Sequence, residues 1–195
     1  MDIRDKLLGL LNKYKPIDSP ENKSKMDIIE FVKSNPKCFD NDYKLGHITG
    51  SASVVDEKIE YALLTYHPHF DKWLQFCGHS DGLSDVLRTG YREAQEESGL
   101  KSLKFITGHE GIIDLDVHPI PPGGGMPLHN HYDVRIILMA DRDEHFVVSR
   151  ESKELKWVKL ENMANYNTQK AFLRLVGKAI KLRKELKMKR LQIIG

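Results

Sequence analysis

The chain has 195 residues, of which 40% are hydrophobic and 30% charged, and its formal net charge is +2. These proportions are typical of a soluble globular protein and exclude an intrinsically disordered chain. An apolar run of membrane-spanning length, a secretory signal and a cysteine framework are all missing from the sequence, which favours the cytoplasm.

Two short amphipathic helices are predicted at the N-terminus. The first lies within residues 2–14, where leucines recur at helical spacing. The second can be capped by Ser19 or by Asp18, and Pro20 is expected in its first turn. We interpret residues 1–44 as a helical extension and residues 45–195 as the main domain. Packing against that domain, a lid and a homodimer contact are the three roles left open for the extension.

Strands are predicted after the helices. Residues 48–55 and 59–66 are rich in β-branched and aromatic residues and are separated by Asp56-Glu57-Lys58, a pattern that predicts a β-hairpin. Residues 73–77 form a further short strand, which leads directly into a glycine-containing loop.

The segment from Gly78 to Leu100 predicts a loop followed by a helix that concentrates negative charge. Glu93, Glu96 and Glu97 are three or four residues apart, so their carboxylates share one helix face. Like charges at this spacing destabilise an isolated helix by roughly 0.2–0.5 kcal/mol per pair. The cluster therefore indicates a bound cation, and hard divalent ions prefer oxygen ligands.

The same segment resembles the Nudix box, which reads Gly, five residues, Glu, seven residues, then Arg-Glu-apolar-x-Glu-Glu-x-Gly-apolar. Gly78 and the run from Arg92 to Leu100 match this pattern in register, while Ser84 stands where the pattern has its first Glu. By this resemblance the chain is identified as a member of the Nudix hydrolase superfamily. The resemblance implies an α/β fold, a Nudix-type α/β/α sandwich with a mixed β-sheet, preceded here by the N-terminal helical extension.

The resemblance also implies a function. Nudix hydrolases cleave a nucleoside diphosphate linked to another moiety, or a similar diphosphate compound, with Mg²⁺ or Mn²⁺ as cofactor. Glu93, Glu96, Glu97 and the carbonyl group of Cys77 are the metal ligands expected from it. Glu93, Glu97 and Arg92 are the expected catalytic residues, because a carboxylate can accept a proton from water and an arginine can hold a carboxylate or a phosphate.

The identity of the general base stays open, because some members of the superfamily use a glutamate from a later loop. The candidates outside the box are Glu110, Glu144, Glu151 and Glu154.

The remaining chain is predicted to alternate strands with one long loop and to end in a helix. The loop at residues 119–127 contains prolines and consecutive glycines, and it is a candidate substrate lid. Strands are expected at residues 103–106, 111–117, 131–139, 145–149 and 155–160, and the final helix at residues 167–189.

Several of the nine histidines fall near the predicted pocket. His79 and Asp81 follow the box glycine, while His129 and His131 are two residues apart on a strand, so both rings point to one side. We predict that these four residues bind the substrate. Two other interpretations remain for the histidines, ordinary surface residues and a second, zinc-type site, since imidazole suits zinc.

The sequence leaves two alternative functions open and disfavours one class of partner. Ser84 favours a Nudix-fold module that binds a ligand without turnover. Cys77 would suit a diphosphate isomerase, since isomerases of the same fold use an active-site cysteine, but the intact acidic positions argue against it. Nucleic acid is not an expected partner, although Lys178 to Arg190 is a basic stretch, because no RNA-binding motif accompanies it.

Overall fold

The computed structural model of the protein describes residues 2–68, 71–123, 125–147 and 154–194, the last five of these without their side chains. The elements follow one another in the order α1 (Asp5–Lys13), α2 (Ser19–Ser34), β1 (Gly46–Asp56), β2 (Tyr61–His67), β3 (Lys72–Leu74), β4 (Phe76–His79), α3 (Val86–Ser98), β5 (Lys104–Phe105), β6 (Asp114–Ile120), β7 (His129–Ala140), β8 (Glu154–Lys159), a 3₁₀ helix (Leu160–Asn165) and α4 (Lys170–Ile194).

Within the described ranges, eight strands form a sheet. Its central path is β3-β2-β1-β7-β5, with β4 paired to β1, β6 to β7 and β8 to β2. The β1–β2, β2–β3, β2–β8, β5–β7 and β6–β7 pairs are antiparallel. The chain divides into two compact units. The first comprises Met1–Ala52, Cys77–Glu93 and His109–Ile136, and the second comprises Ser53–Phe76, Ala94–Gly108 and Ile137–Gly195.

The first unit has a hydrophobic core to which both N-terminal helices contribute. Of the two candidate caps of helix α2, Asp18 is the N-cap, because its carboxylate accepts a hydrogen bond from the backbone N–H of Glu21 at 2.7 Å. Phe31 stacks on Tyr132 of β7 with ring centroids 3.9 Å apart. The helices are therefore packed into a core whose buried members are Leu7, Leu11, Ile28, Ile29, Phe31, Val32, Cys38, Phe39, Ile48, Val86, Leu115 and Val134.

The second unit is built on the long β2–β8 pair and helix α4. Strands β2 and β8 pair from Tyr61 opposite Lys159 to Tyr66 opposite Glu154. Part of the basic C-terminal stretch is used inside this unit. Lys178 is only 6% exposed, and Arg183 forms an ion pair with Glu161 at 2.7 Å. The side chain of Arg190 lies outside the described residues, and no described helix is long and apolar enough to cross a lipid bilayer.

The structure differs from the sequence predictions in the strand bounds before and after the box. Residues 73–77 do not form one strand, because β3 pairs with β2 while β4 pairs with β1, and Gln75 separates the two strands. Strand β6 extends through Pro119, which was expected in the loop. Proline is tolerated there because the described pairing of β6 is to β7 alone, which makes β6 an edge strand.

The strand predicted at residues 145–149 is absent from its described part, residues 145–147, and the remainder lies outside the described residues. Val147 instead contacts the C-terminal end of helix α3. Its N–H donates to the carbonyl oxygen of Ser98 at 2.7 Å, and its side chain covers Gly99, which has a φ of +68°. Gly99 therefore ends helix α3 in the left-handed conformation that glycine adopts without strain.

Candidate functional site: the box helix and a histidine cluster

Helix α3 lies directly on strand β1 at two glycines. A Cβ atom at Gly50 would be 2.6 Å from the carbonyl oxygen of Val86, and one at Gly90 would be 2.9 Å from the carbonyl oxygen of Ser51. Both distances are too short for any side chain, so the two backbones touch. These glycines fix the position of the helix, and the box pattern does not include either of them.

The turn between β4 and α3 is held by side chains on both of its sides. Asp81 has a positive φ of 49°, and its backbone N–H donates to the Asn41 side-chain oxygen at 3.2 Å. Asp85 accepts a hydrogen bond from the backbone N–H of Arg88 at 3.3 Å, as an N-cap does, and pairs with Lys6 of α1 at 2.6 Å. The helix start is therefore tied to the N-terminal extension.

Gly78, the first glycine of the box, is in direct contact with Glu93, the first glutamate of the run from Arg92 to Leu100. A Cβ atom at Gly78 would overlap the carboxylate of Glu93, which is 9% exposed. Arg92 Nη2 donates to Glu93 Oε1 and to the backbone carbonyl of His79, both at 2.7 Å. Gly78 provides the space and Arg92 the charge that keep this buried carboxylate in place.

The other two acidic residues of the box differ in exposure. Glu97 is one helical turn after Glu93 and is 8% exposed, whereas Glu96 is exposed. Cys77, whose carbonyl group is the fourth predicted ligand, precedes Gly78 on β4 and is half-buried. Carboxylate and carbonyl oxygens are the ligands that Mg²⁺ and Mn²⁺ prefer. The donor types therefore suit a hard divalent ion, but among the described residues the group whose ligand atoms lie within 4.8 Å of one another is made of three histidines and includes none of these glutamates.

Asp81, predicted to bind the substrate, is engaged by its neighbours. Arg92 Nη2 lies 2.9 Å from Asp81 Oδ2, and Asn41 donates a hydrogen bond to Asp81 Oδ1. Partial burial raises the pKa of the Asp81 carboxyl, but the hydrogen bonds from Asn41 and Arg92 outweigh burial and hold the pKa below its ordinary value. Asp81 is therefore an anion that holds Arg92.

Three histidines from three strands come together in the first unit. The ring centroid of His47 on β1 lies 4.7 Å from that of His79 on β4 and 4.7 Å from that of His131 on β7. The His79 and His131 centroids are 5.3 Å apart. Two more imidazoles flank this histidine cluster, with His129 at 5.4 Å and His118 at 5.7 Å from His131. The structure thus brings together three of the predicted substrate-binding residues and adds His47 and His118.

The two more deeply placed histidines of the cluster are uncharged at neutral pH. Burial, followed by repulsion from the neighbouring histidines, lowers the pKa of His47 to about 4 and that of His131 to about 2. His47 is 1% exposed, and neither of its ring nitrogens has a hydrogen-bond partner among the residues that the structure describes.

A buried charge network adjoins the cluster along β6 and β7. Arg135 donates to Asp133 at 2.7 Å, to Asp116 at 2.9 Å and to Asp114 at 3.2 Å. Burial alone would lower the pKa of the Arg135 guanidinium, but the three carboxylates raise it above its ordinary value. Asp116 also accepts a hydrogen bond from His118 Nδ1 at 3.1 Å, so this network orients one ring beside the cluster.

Sequence reasoning missed His47, Arg135 and the three aspartates, although the sequence contains a signal for them. Polar residues occupy every second position on three strands, a period that places them on one face of each strand. These residues are His47, Thr49 and Ser51 on β1; Asp114, Asp116 and His118 on β6; and His129, His131, Asp133 and Arg135 on β7. Thr49 and Ser51 both donate to Asp133, at 3.1 and 2.6 Å.

The candidate general bases outside the box have different environments. Glu144 accepts hydrogen bonds from the backbone N–H groups of Lys101 and Ser102 at 2.8 and 3.0 Å, a structural role after the end of α3. Glu110 and Glu154 are exposed, and Glu151 lies outside the described residues.

Known proteins were compared with the chain by sequence and by structure. No family model and no curated protein matches the sequence. Among solved structures, a NUDIX family hydrolase from Clostridium perfringens is 26% identical with a TM-score of 0.50, and the match covers 70% of this chain and 97% of that one. An Ap4A hydrolase from C. elegans, in a binary complex, is 15% identical with a TM-score of 0.55, covering 69% and 96% respectively.

A third structure, the E. coli dihydroneopterin triphosphate pyrophosphohydrolase, is 12% identical with a TM-score of 0.50, covering 66% of this chain and 91% of that one. The shared fold confirms the predicted Nudix-type α/β/α sandwich, and the helices expected at the N-terminus are present. The chain therefore has the fold of the Nudix hydrolases, and its segment from Gly78 to Leu100 resembles their box.

Proposed function

We propose that the chain is a metal-dependent pyrophosphohydrolase. Its substrate would be a nucleoside diphosphate linked to another moiety, or a similar small diphosphate compound, cleaved by attack of water on phosphorus. The observation that carries this proposal is the buried Glu93 carboxylate, which fills the space beside Gly78 and is fixed by Arg92. A buried carboxylate is costly unless it is paired, so its placement in the helix that matches the box supports a functional role.

Glu93, Glu96, Glu97 and the carbonyl group of Cys77 would hold Mg²⁺ or Mn²⁺. The ion, when bound, neutralises phosphate charge and lowers the pKa of a bound water.

The other residues of the site would position groups, transfer a proton or contact the substrate. Arg92 positions Glu93, and Glu97 is our candidate for the group that takes the proton from the attacking water. His79, His129 and His131 would contact the substrate phosphates, directly or through a metal. Asp81 would support Arg92, as its contact at 2.9 Å indicates.

Activity and metal dependence test this proposal together. Purified protein with Mg²⁺ or Mn²⁺ is screened against nucleotide sugars, dinucleoside polyphosphates, ADP-ribose, coenzyme A and NADH, and release of AMP, or of phosphate from the phosphomonoester products after phosphatase treatment, is measured. We expect Glu93→Gln and Glu97→Gln each to lower kcat by about 100-fold or more, the scale of general acid–base catalysis. Glu30→Gln, an exposed glutamate on α2, is the matched control and should keep full activity.

The outcome also separates the alternatives. Turnover that survives Glu97→Gln with unchanged metal dependence would show that Glu97 does not have the assigned role. A diphosphate that binds without being hydrolysed would favour the binding module that Ser84 suggests, and Ser84→Glu, which restores the box pattern, should then raise turnover. A diphosphate rearranged to an isomer with its phosphorus–oxygen–phosphorus linkage intact would favour the isomerase that Cys77 suggests.

A further inference from the structure

The histidine cluster formed by His47, His79 and His131 has the geometry of a metal site. One ring nitrogen from each residue can be chosen so that all three lie within 4.8 Å of one another. A tetrahedral zinc with bonds of about 2.0–2.1 Å needs ligand nitrogens roughly 3.4 Å apart. Binding of an ion would require the rings to rotate about their side-chain bonds until the nitrogens reach this spacing.

Within the cluster, His47 is the residue whose buried ring nitrogens a bound ion would stabilise. It is 1% exposed, and neither ring nitrogen has a hydrogen-bond partner among the described residues. An unsatisfied buried polar group costs about 1–3 kcal/mol, and such groups are rare in native proteins. A cation between His47 and its two neighbours would satisfy the nitrogen that faces them.

The surrounding groups select the class of ion. Imidazole nitrogens suit zinc and related transition metals, whereas Mg²⁺ prefers oxygen ligands. Three histidines that leave one position open are the ligand set of a catalytic zinc centre, in which water or an anion takes the fourth place.

A neighbouring histidine is arranged to support the same site. His129 Nδ1 donates to the carbonyl oxygen of Pro127 at 2.8 Å, because a carbonyl can only accept. This bond leaves Nε2 as the ring nitrogen available to a ligand, and the ring lies 5.0 Å from that of His47.

We propose that His47, His79 and His131 bind a zinc-class transition metal ion at a second site, distinct from the carboxylates of helix α3. The two sites are joined by Arg92, whose Nη2 bonds both the Glu93 carboxylate and the backbone carbonyl of His79. The site can be tested without any substrate, so its failure would leave the proposed hydrolase function standing.

Direct metal binding tests the site. Metal-free protein prepared without a polyhistidine tag is titrated with Zn²⁺ by calorimetry and with Co²⁺ by visible absorption, in the presence of excess Mg²⁺. We expect one tight equivalent per chain and the intense visible bands of low-coordinate cobalt. His47→Gln and His79→Asn should each weaken binding at least about tenfold. Because His79 is exposed, its variant tests the site even if the buried His47 variant fails to fold.

Two controls separate this site from other contributions. His145→Asn removes an exposed histidine outside the cluster and should leave both titrations unchanged. Glu93→Gln alters the box and should leave the cobalt bands unchanged. The proposal is overturned if the unaltered protein gives no saturable cobalt spectrum, or if His79→Asn binds Zn²⁺ as tightly as the unaltered protein does.

Discussion

Only glycine fits at residue 78, because the carboxylate of Glu93 occupies the volume in which a Cβ atom would lie. The box pattern states that glycine and glutamate occur together, and the contact supplies the steric reason. Arg92 completes the arrangement by bonding the same carboxylate. A single methyl group at residue 78 is therefore a precise probe of the site.

Gly78→Ala should displace Glu93 and lower turnover by at least about tenfold, while overpacking costs about 1–3 kcal/mol of unfolding free energy. Steady-state kinetics with urea unfolding measures both effects. The matched control is Gly111→Ala, since a Cβ atom there meets nothing within 4 Å. Its stability should change by no more than about 1 kcal/mol. Full activity in Gly78→Ala would contradict the assigned role of the contact.

Strands β6 and β7 carry an alternating row of polar side chains that ends at the histidine cluster. Their register places Asp114 opposite Arg135, Asp116 opposite Asp133 and His118 opposite His131. The charge network and the histidines thus occupy every second residue pair of the β6–β7 ladder. The network therefore holds the strands in the register that the cluster requires.

Arg135→Met tests that network by leaving the buried carboxylates of Asp114 and Asp133, and the half-buried one of Asp116, without their cation. We expect a loss of about 3–5 kcal/mol in unfolding free energy, the usual cost of breaking a buried pair. Arg183→Met is the control, because the partner of Arg183, Glu161, is 54% exposed and such pairs contribute at most about 1 kcal/mol. Equal destabilisation of the two variants in urea would show that the network is not a major source of stability.

Local patterns explain which elements could be predicted. The Asp18 cap and the acidic run of α3 are each encoded within a few residues, so the sequence alone indicates these helices. Gly50 and Gly90 could not be interpreted in this way, because each is explained by a backbone that is distant in sequence. His47 was overlooked for the same reason, since only strand pairing brings it to the histidines of β4 and β7.

Eight of the twelve buried residues in the core of the first unit come from the chain before residue 45. The buried Glu21 adds a polar connection, because its carboxylate accepts from the Tyr14 hydroxyl at 2.5 Å and from the backbone N–H of Leu115 at 3.3 Å. The N-terminal helices are therefore part of the core of this unit. The domain boundary near residue 45 stays a prediction, and it can be tested directly.

A chain of residues 45–195 should lack a cooperative thermal transition, because most of that core is removed. Point variants give a graded form of the same test by urea unfolding. Leu7→Ala should cost about 2–5 kcal/mol. Ile3→Ala, at a site that is 56% exposed, should change stability by no more than about 0.5 kcal/mol. Cooperative unfolding of the shortened chain would show that the extension is dispensable for folding.

The first unit is assembled from three stretches that end at residues 52, 93 and 136. On the ribosome, Leu7 and Leu11 emerge early, but Leu115 and Val134, which complete their core, are synthesised much later. Pairing of such distant partners is slow, and apolar surface stays uncovered while it is awaited. The apolar faces of the nascent N-terminal helices therefore stay unpacked, or are covered by a chaperone, until translation has passed residue 136.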